Sequence, residues 1–317
     1  MPAGLHIEYA DGGQDMNILA GMRGLKYVGS LYNGGAFSVN MPDLNPAFPT
    51  YMTPYDAFRF VGNPVNGQIE YITGFSVNGT TFSQNVGGNT GGGAFAASVW
   101  QIDQSNPKSG LLIADTSDFT SIGNGKALGF CVFSGTVTIN GAWTPPVPAG
   151  AVGVTVFVKF NNTGVTLHYN GGQVTCWANT PEDAYQTSVV AKVIVFVAGI
   201  EPMPQQGGLN MWNSKGECTF SSGNRPFITY GKTVSIGVVG SSTGGGMVQL
   251  CGTGGGRYSR DQGNTMWTKG LGITMGVDSV AVGWAYQITK DTDWYGETKV
   301  DYYVPGISVP VIPDIYV

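Results

Sequence analysis

The sequence predicts an all-β protein made of two or three antiparallel, sandwich-like modules in tandem. Apolar residues alternate with polar ones over several runs, in which β-branched and aromatic residues dominate. Helical periodicity is nearly absent, since only residues 54–60 and 181–185 could start a single helical turn. Asn-Gly pairs, which favour type I′ hairpin turns, lie between apolar runs and begin at Asn33, Asn78, Asn140 and Asn170.

Four runs carry the strand pattern most clearly. Residues 151–160 are rich in Val and Phe, and residues 189–198 and 234–239 are similar in composition. In residues 277–288, large apolar side chains recur at every second position, from Val280 to Tyr286. We therefore expect strands in all four.

A repeated block suggests how the modules are arranged. A Gly-Leu pair, an apolar residue and polar turn residues recur at residues 4–12, 110–118 and 208–216. The blocks lie roughly one sandwich length, about 100 residues, apart. In the third block, Asn213 to Gly216 predicts a turn, and Cys218 to Phe220 predicts the return strand of a hairpin.

Proline-containing connectors place the boundaries between these modules. Pro107 precedes the second block, and Pro202 and Pro204 precede the third, which predicts joints near residues 104–109 and 201–207. We expect an N-terminal module at residues 1–106 and a central module at residues 107–204. The C-terminal module, residues 205–317, contains a Gly-rich loop and an extended Pro-containing tail.

Composition excludes several functions. Hydrophobic residues make up 42% of the 317-residue chain, which is enough for a packed core. The net charge is −5 and there is no basic run, so we expect no nucleic-acid-binding surface. There is no apolar stretch of 18 residues and no secretion signal, so we expect no membrane insertion and four reduced cysteines.

Motifs for nucleotides and catalysis fail on inspection. Residues 231–233 read Gly-Lys-Thr, but Pro226 stands where the first glycine of a phosphate-binding loop belongs. Glycan cleavage needs paired carboxylates, and the best isolated acid, Glu70, has no evident partner. We therefore predict that the protein is not an enzyme and has no cofactor.

An acidic segment near the C-terminus resembles a calcium loop only weakly. Asp291 and Asp293 have the right spacing, but Tyr295 and Tyr302 occupy positions that need oxygen ligands. A solvated strand pair of mixed charge is the favoured interpretation, and we predict no metal site.

Two segments are candidate contact elements. Arg257, Tyr258, Arg260 and Trp267 follow the glycine-rich stretch 244–256 and are of the types enriched at interface hot spots. They form either a recognition loop or a loop packed on its own module. In the tail from Pro305, prolines interrupt an apolar sequence that predicts an extended arm lying on its own domain or on a neighbouring subunit. The apolar residues of this arm are Ile307, Val309, Val311, Ile312 and Ile315.

The opening at residues 1–5, Met-Pro-Ala-Gly-Leu, and the block at residues 208–222 resemble minor tail proteins of tailed bacteriophages. In that family, a Gly-Leu strand is followed by Asn-x-x-Gly and a return strand ending in Phe-x-Ser. The second block departs from the pattern, because residues 115–118 lack the turn glycine.

The resemblance implies a structural protein of the virion tail, made in the cytoplasm of the host bacterium. Its implied partners are other tail proteins and further copies of the chain. Low charge agrees with this, because charged residues are depleted in the cores of interfaces. The alternative is a receptor-binding module of the tail that contacts the host surface, and a glycan-cleaving tail enzyme comes third.

Overall fold

The predicted all-β antiparallel class is confirmed. The structure is a computed structural model, in which 59% of residues are in strands and 1% in helix. It describes residues 4–9, 15–19, 22–61, 67–88, 90–102, 110–114, 119–123, 128–260, 264–292, 298–314 and 316. Neither 54–60 nor 181–185 forms a helix; the one short helix of the described residues is a 3-10 turn, Thr90–Gly92.

The strands are numbered in chain order. The first group is β1 (Gly4–Ile7), β2 (Met16–Leu19), β3 (Arg23–Leu31), β4 (Ser38–Asn40), β5 (Thr50–Pro54), β6 (Phe58–Val61), β7 (Gln68–Asn78), β8 (Thr81–Gly88) and β9 (Ala97–Ile102). The second is β10 (Gly110–Ala114), β11 (Phe119–Gly123), β12 (Phe130–Asn140), β13 (Ala142–Trp143), β14 (Val152–Lys159), β15 (Asn162–Tyr169), β16 (Val174–Ala178) and β17 (Ser188–Ala198). The third is β18 (Asn210–Trp212), β19 (Cys218–Ser221), β20 (Ile228–Thr229), β21 (Thr233–Ser235), β22 (Ser241–Ser242), β23 (Met247–Gln249), β24 (Gly255–Ser259), β25 (Met266–Met275), β26 (Ser279–Asp291), β27 (Lys299–Tyr303) and β28 (Ser308–Ile312).

The predicted strands and turns form as local physics requires. The runs at 151–160, 189–198 and 277–288 become β14, β17 and β26, whereas strand structure in 234–239 is confined to the end of β21. The glycines of all four Asn-Gly pairs have positive φ, which this residue adopts without a Cβ clash. Asn78 pairs with Thr81 across one of these turns, so the β7–β8 register follows from the turn.

One 14-stranded sheet dominates the molecule. Its main path runs β21-β28-β23-β14-β17-β12-β13-β16-β15-β25-β24-β27, with β26 on β25 and β22 on β26. Strands from residues 130–198 thus form the centre of this sheet, and strands from residues 233–312 flank them on both sides. The expected boundary between residues 204 and 205 is corrected: it separates strands that hydrogen bond to one another. The joint expected near 104–109 falls mostly outside the described residues.

The N-terminal residues form two four-stranded sheets, β20-β3-β9-β5 and β4-β8-β7-β6. The edge strand β20 comes from far along the chain, and Ile228 pairs with Gly24. The aromatic core shows the same mixing, because Trp100, Phe157, Phe196 and Phe227 belong to one buried cluster. The Phe196 and Phe227 rings stack with centroids 4.2 Å apart. The sheets therefore share a hydrophobic core that no single segment of the chain could form alone.

The repeated Gly-Leu blocks each start a two-stranded antiparallel hairpin. β1 pairs with β2, β10 with β11, and β18 with β19, and these three pairs are separate from the larger sheets. The third hairpin turns as predicted: Asn213 Oδ1 accepts hydrogen bonds from the backbone N–H groups of Lys215 (2.9 Å) and Glu217 (3.0 Å). The unit that recurs in the sequence is thus a two-stranded hairpin.

The tail that the sequence suggested as an arm belongs to the core of its own chain. β28 pairs with β21 and β23, and Ile307, Val309, Val311 and Ile312 are all buried. Ile315 lies outside the described residues. The expectation of an arm free for a neighbouring subunit is corrected, because these four side chains are already covered.

Two polar anchors hold this tail in place. The Asp314 carboxylate accepts hydrogen bonds from the ammonium groups of Lys159 on β14 (2.9 Å) and Lys192 on β17 (3.3 Å). The buried Tyr316 hydroxyl donates to the carbonyl of Pro226 (2.8 Å) and accepts from the N–H of Ile228 (3.2 Å). The tail thus joins β14 and β17 to the segment that leads into β20.

Candidate functional site

A cleft of about 440 Å³ opens between the N-terminal sheets and the large sheet. Its lining combines aromatic rings with amides, one carboxyl group and one imidazole. The lining residues are Asn33, Tyr55, Asp56, Ala96, His168, Asn170, Thr175, Trp177 and Tyr286. Ligand sites commonly have volumes of about 300–1,000 Å³ and combine apolar walls with a few polar groups, so this cleft is the candidate binding site.

The turn between β15 and β16 forms one rim of the cleft. Gly171 has a φ of +89°, and a Cβ there would lie 3.1 Å from the Tyr55 ring, so glycine lets the turn approach the N-terminal part. Asn170 Oδ1 accepts hydrogen bonds from the N–H groups of Gly172 (3.0 Å) and Gln173 (2.8 Å). The fixed oxygen leaves the Asn170 amide nitrogen as the group that can donate into the cleft.

A bulge between β25 and β26 places Tyr286. Lys269 pairs with Gln287, but Leu271 pairs with Trp284, so Gly270 stands opposite two residues. A Cβ on Gly270 would lie 2.2 Å from the Tyr286 ring, so only glycine leaves room for it. The bulge and the glycine together direct the tyrosine to the cleft.

Asp56 supplies the carboxyl group of the cleft. Its Oδ1 accepts hydrogen bonds from the N–H groups of Ala57 (2.8 Å) and Phe58 (3.3 Å) and from the Tyr286 hydroxyl (3.3 Å). Burial raises the pKa of Asp56, which these hydrogen bonds and the nearby Arg59 partly offset. Oδ2 is left as the acceptor for a ligand.

His168, on β15, is buried beside Tyr286, with ring centroids 4.8 Å apart. Burial lowers the pKa of His168 to about 4, so the imidazole is neutral at pH 7. A neutral imidazole offers one donor and one acceptor. Next to it, the Trp177 indole N–H donates to Thr175 Oγ1 (2.9 Å), which fixes the indole at the cleft wall.

This arrangement suits binding more than bond cleavage. Among the described lining residues, Asp56 is the one carboxyl group, whereas glycosidases use two. Glu70, the acid singled out in the sequence, is buried elsewhere and paired with Arg59, with Nε and Oε2 2.6 Å apart. The described groups offer hydrogen bonds and ring faces to a ligand.

Three of the four predicted contact residues lie on strands and Arg260 directly follows one, so the expected loop is corrected. Arg257 and Tyr258 belong to β24, which is paired on both sides, by β25 and β27. Trp267 on β25 is 7% exposed, and its indole N–H donates to Asp183 Oδ1 (2.8 Å). Exposed Arg260 pairs with the Glu182 carboxylate. Trp267 is thus covered by the chain itself, between Asp183, Tyr258 and Lys290.

The neighbouring Lys269 was not singled out in the sequence. It is fully buried, and its ammonium group donates to the carbonyl oxygens of Thr180 (2.5 Å) and Glu182 (2.8 Å). Burial lowers the pKa of Lys269 to about 8. These hydrogen bonds hold the 180–186 segment over β25.

The described residues contain no group of three or more potential metal ligands and no helix long and apolar enough to cross a membrane. Asp293 and Tyr295, part of the segment compared with a calcium loop, lie outside the described residues. Cys176, Cys218 and Cys251 are buried free thiols.

Fold and site together define an all-β protein with several antiparallel sheets and a polar, aromatic-lined cleft between them. The chain belongs to the family of unknown function DUF6453, whose model matches residues 4–293. No curated protein and no solved structure matches the chain.

Proposed function

We propose that the protein is a structural component of a bacteriophage tail, at the tail tip or as a tail accessory protein, that acts through contacts with other subunits. The resemblance of residues 1–5 and 208–222 to minor tail proteins is the basis of this proposal. The third Gly-Leu hairpin supports it, because the resembling block forms a defined structural unit with exposed apolar side chains.

The exposure of that hairpin and of the connector before it is the observation that carries the proposal. On the hairpin block Trp212 is 49% exposed and Leu209 41%, and Met203 in the connector is 77% exposed. On the inner side of the same hairpin, Cys218 and Phe220 are buried. Large apolar and aromatic side chains left on one element are typical of contact surfaces, whereas scattered ones need no explanation.

Purified phage particles that encode the chain test the proposal. Mass spectrometry should find the chain in particles, and antibody labelling should place it on the tail. A phage carrying Met203→Ser and Trp212→Ser should incorporate less of it, while a matched variant at exposed Tyr230, Tyr230→Ser, should incorporate normally. Absence of the chain from washed particles would refute the tail assignment.

The cleft favours a second function, receptor binding by the same tail protein. A solvent-open site with polar groups and no paired carboxylates among its described residues suits recognition of a host-surface molecule. The purified chain should then compete with phage for adsorption to host cells. Adsorption that is unchanged by a large excess of the chain would refute receptor binding, and only the structural function would remain.

A further inference from the structure

The open hydrogen-bonding groups of the cleft are of two kinds. Asn33 Oδ1 accepts a hydrogen bond from Arg59 (3.2 Å), and Asn170 Oδ1 accepts from its own turn, so both side chains present amide N–H donors. Asp56 Oδ2 is an acceptor, and the neutral His168 adds one donor and one acceptor. A ligand that satisfies this set must both donate and accept hydrogen bonds.

Three ligand classes fit these groups poorly. An anion would face the Asp56 carboxyl group, and none of the described lining residues is a lysine or arginine that could pair with it. An ammonium cation would pair with Asp56, but it accepts no hydrogen bond and would leave the amide donors of Asn33 and Asn170 without acceptors. A purely apolar ligand would leave all these polar groups without partners.

A neutral sugar fits the groups that remain. Each sugar hydroxyl both donates and accepts, as a mixed donor and acceptor set requires. The C–H face of a pyranose ring suits an aromatic wall, which Trp177 and Tyr286 provide. The volume of about 440 Å³ lies within the usual range for small-molecule sites.

We propose that this cleft binds a neutral glycosyl unit, with its hydroxyl groups on Asp56, Asn33 and Asn170 and its apolar face on Trp177. The inference deepens the receptor-binding function and rests on it for the source of the sugar, a neutral host-surface polysaccharide. Trp177 and Tyr286 select the ring by shape, and Asp56 selects hydroxyl donors.

Saturation-transfer NMR on the full chain tests the inference. The neutral probes are methyl α-glucoside, methyl β-galactoside and N-acetylglucosamine, and the charged probes are glucuronate and choline. At least one neutral probe should bind, and more tightly than either charged one. Failure of all three neutral probes, or stronger binding of choline or glucuronate, would overturn the proposal.

Two matched variants exchange a donor for an acceptor, or the reverse, in the cleft while keeping the hydrogen bonds to the chain itself. Asp56→Asn retains the Oδ1 acceptor for Ala57 and Phe58, and Asn33→Asp retains the acceptor for Arg59. Each should weaken binding of the neutral probe about tenfold, the value of one net hydrogen bond. Tyr230→Ala, at an exposed tyrosine outside the cleft, should bind as the wild type does. Unchanged affinity in both cleft variants, with native far-UV circular dichroism, would refute the site.

The two proposals fail in different ways. A chain present in phage tails that binds none of the neutral probes disproves the sugar site and leaves the tail function standing. A chain that binds a neutral probe but is absent from particles disproves the tail assignment and leaves the sugar site standing.

Discussion

The third Gly-Leu hairpin, residues 208–221, and the tail from Pro305 both carry large apolar side chains, yet the structure treats them in opposite ways. The tail is buried along β28, whereas Leu209 and Trp212 of the hairpin are exposed, as is Met203 just before it. Strand pairing explains the difference: β28 has partners on both sides, whereas β18 pairs only with β19 among the described strands. Apolar composition alone therefore does not identify an interface. Whether an apolar strand is buried or exposed depends on whether other strands of the chain pair with it.

Removal of residues 306–317 is the strongest test of this comparison. The deletion should abolish cooperative unfolding, because four buried apolar side chains are worth about 1.5–3 kcal/mol each and domain stability is typically only about 5–15 kcal/mol. Thermal unfolding followed by circular dichroism measures this. Met203→Ser with Trp212→Ser is the control and should keep the native transition. A truncated chain that unfolds like the wild type would show that the tail is dispensable.

The cleft combines the two situations, because it is open to solvent but contains the buried His168. The pKa of His168 is about 4 in the folded chain and 6.5 in its ordinary state. Between these two values the unfolded chain binds a proton that the folded chain does not. The free energy of unfolding should therefore fall as the pH drops from 6.5 to 4, by about 3 kcal/mol from this group.

His168→Gln isolates that contribution, because other groups titrate in the same range. Asp56, whose pKa is raised, contributes with the opposite sign, since the folded chain retains its proton to higher pH. Urea denaturation from pH 7 to pH 4 should show a smaller loss of stability in the variant. Equal losses in both proteins would mean that His168 is protonated in the folded state.

Tyr316→Phe probes the polar end of the tail and should have a smaller effect. The change removes the hydroxyl and leaves the buried Ile228 N–H and Pro226 carbonyl without this partner, which costs about 1–3 kcal/mol. Chemical denaturation should show a lower midpoint with an unchanged slope. Tyr230→Phe, at an exposed tyrosine, is the matched control and should not shift the midpoint.

Trp212→Ser should have the smallest effect on stability and a larger one on association. Since Trp212 is half exposed, its replacement should alter the free energy of unfolding by no more than about 0.5 kcal/mol. Incorporation into particles should nevertheless decrease, as the tail function requires. A large loss of stability would show that this side chain supports the fold.

The sequence predicts individual strands and turns, but it does not predict which distant strands pair with one another. Alternation identifies β14, β17 and β26, and Asn-Gly pairs identify the turns, because both depend on neighbouring residues. The order of strands in the sheets is not local, so the place of β28 between β21 and β23, beside β14, could not be foreseen.

The cleft was missed for the same reason. Asp56 and Tyr286 are 230 positions apart in the sequence, and only the folded sheets bring them into hydrogen-bonding contact. The Asn170-Gly171 pair was identified as a turn, which it is, but its place at the cleft rim depends on Tyr55. Trp177, between Cys176 and Ala178 on the short strand β16, gives no separate signal.

The pairing of β3 with β20 affects the timing of biosynthesis. Gly24 leaves the ribosome about 200 residues before its partner Ile228, which at about 5–20 residues per second is a delay of roughly 10–40 s. During that time, one edge of β3 lacks its native partner and is open to pairing with other chains. We therefore expect the yield of soluble protein to depend on chaperones and on growth temperature more steeply than its final stability would suggest.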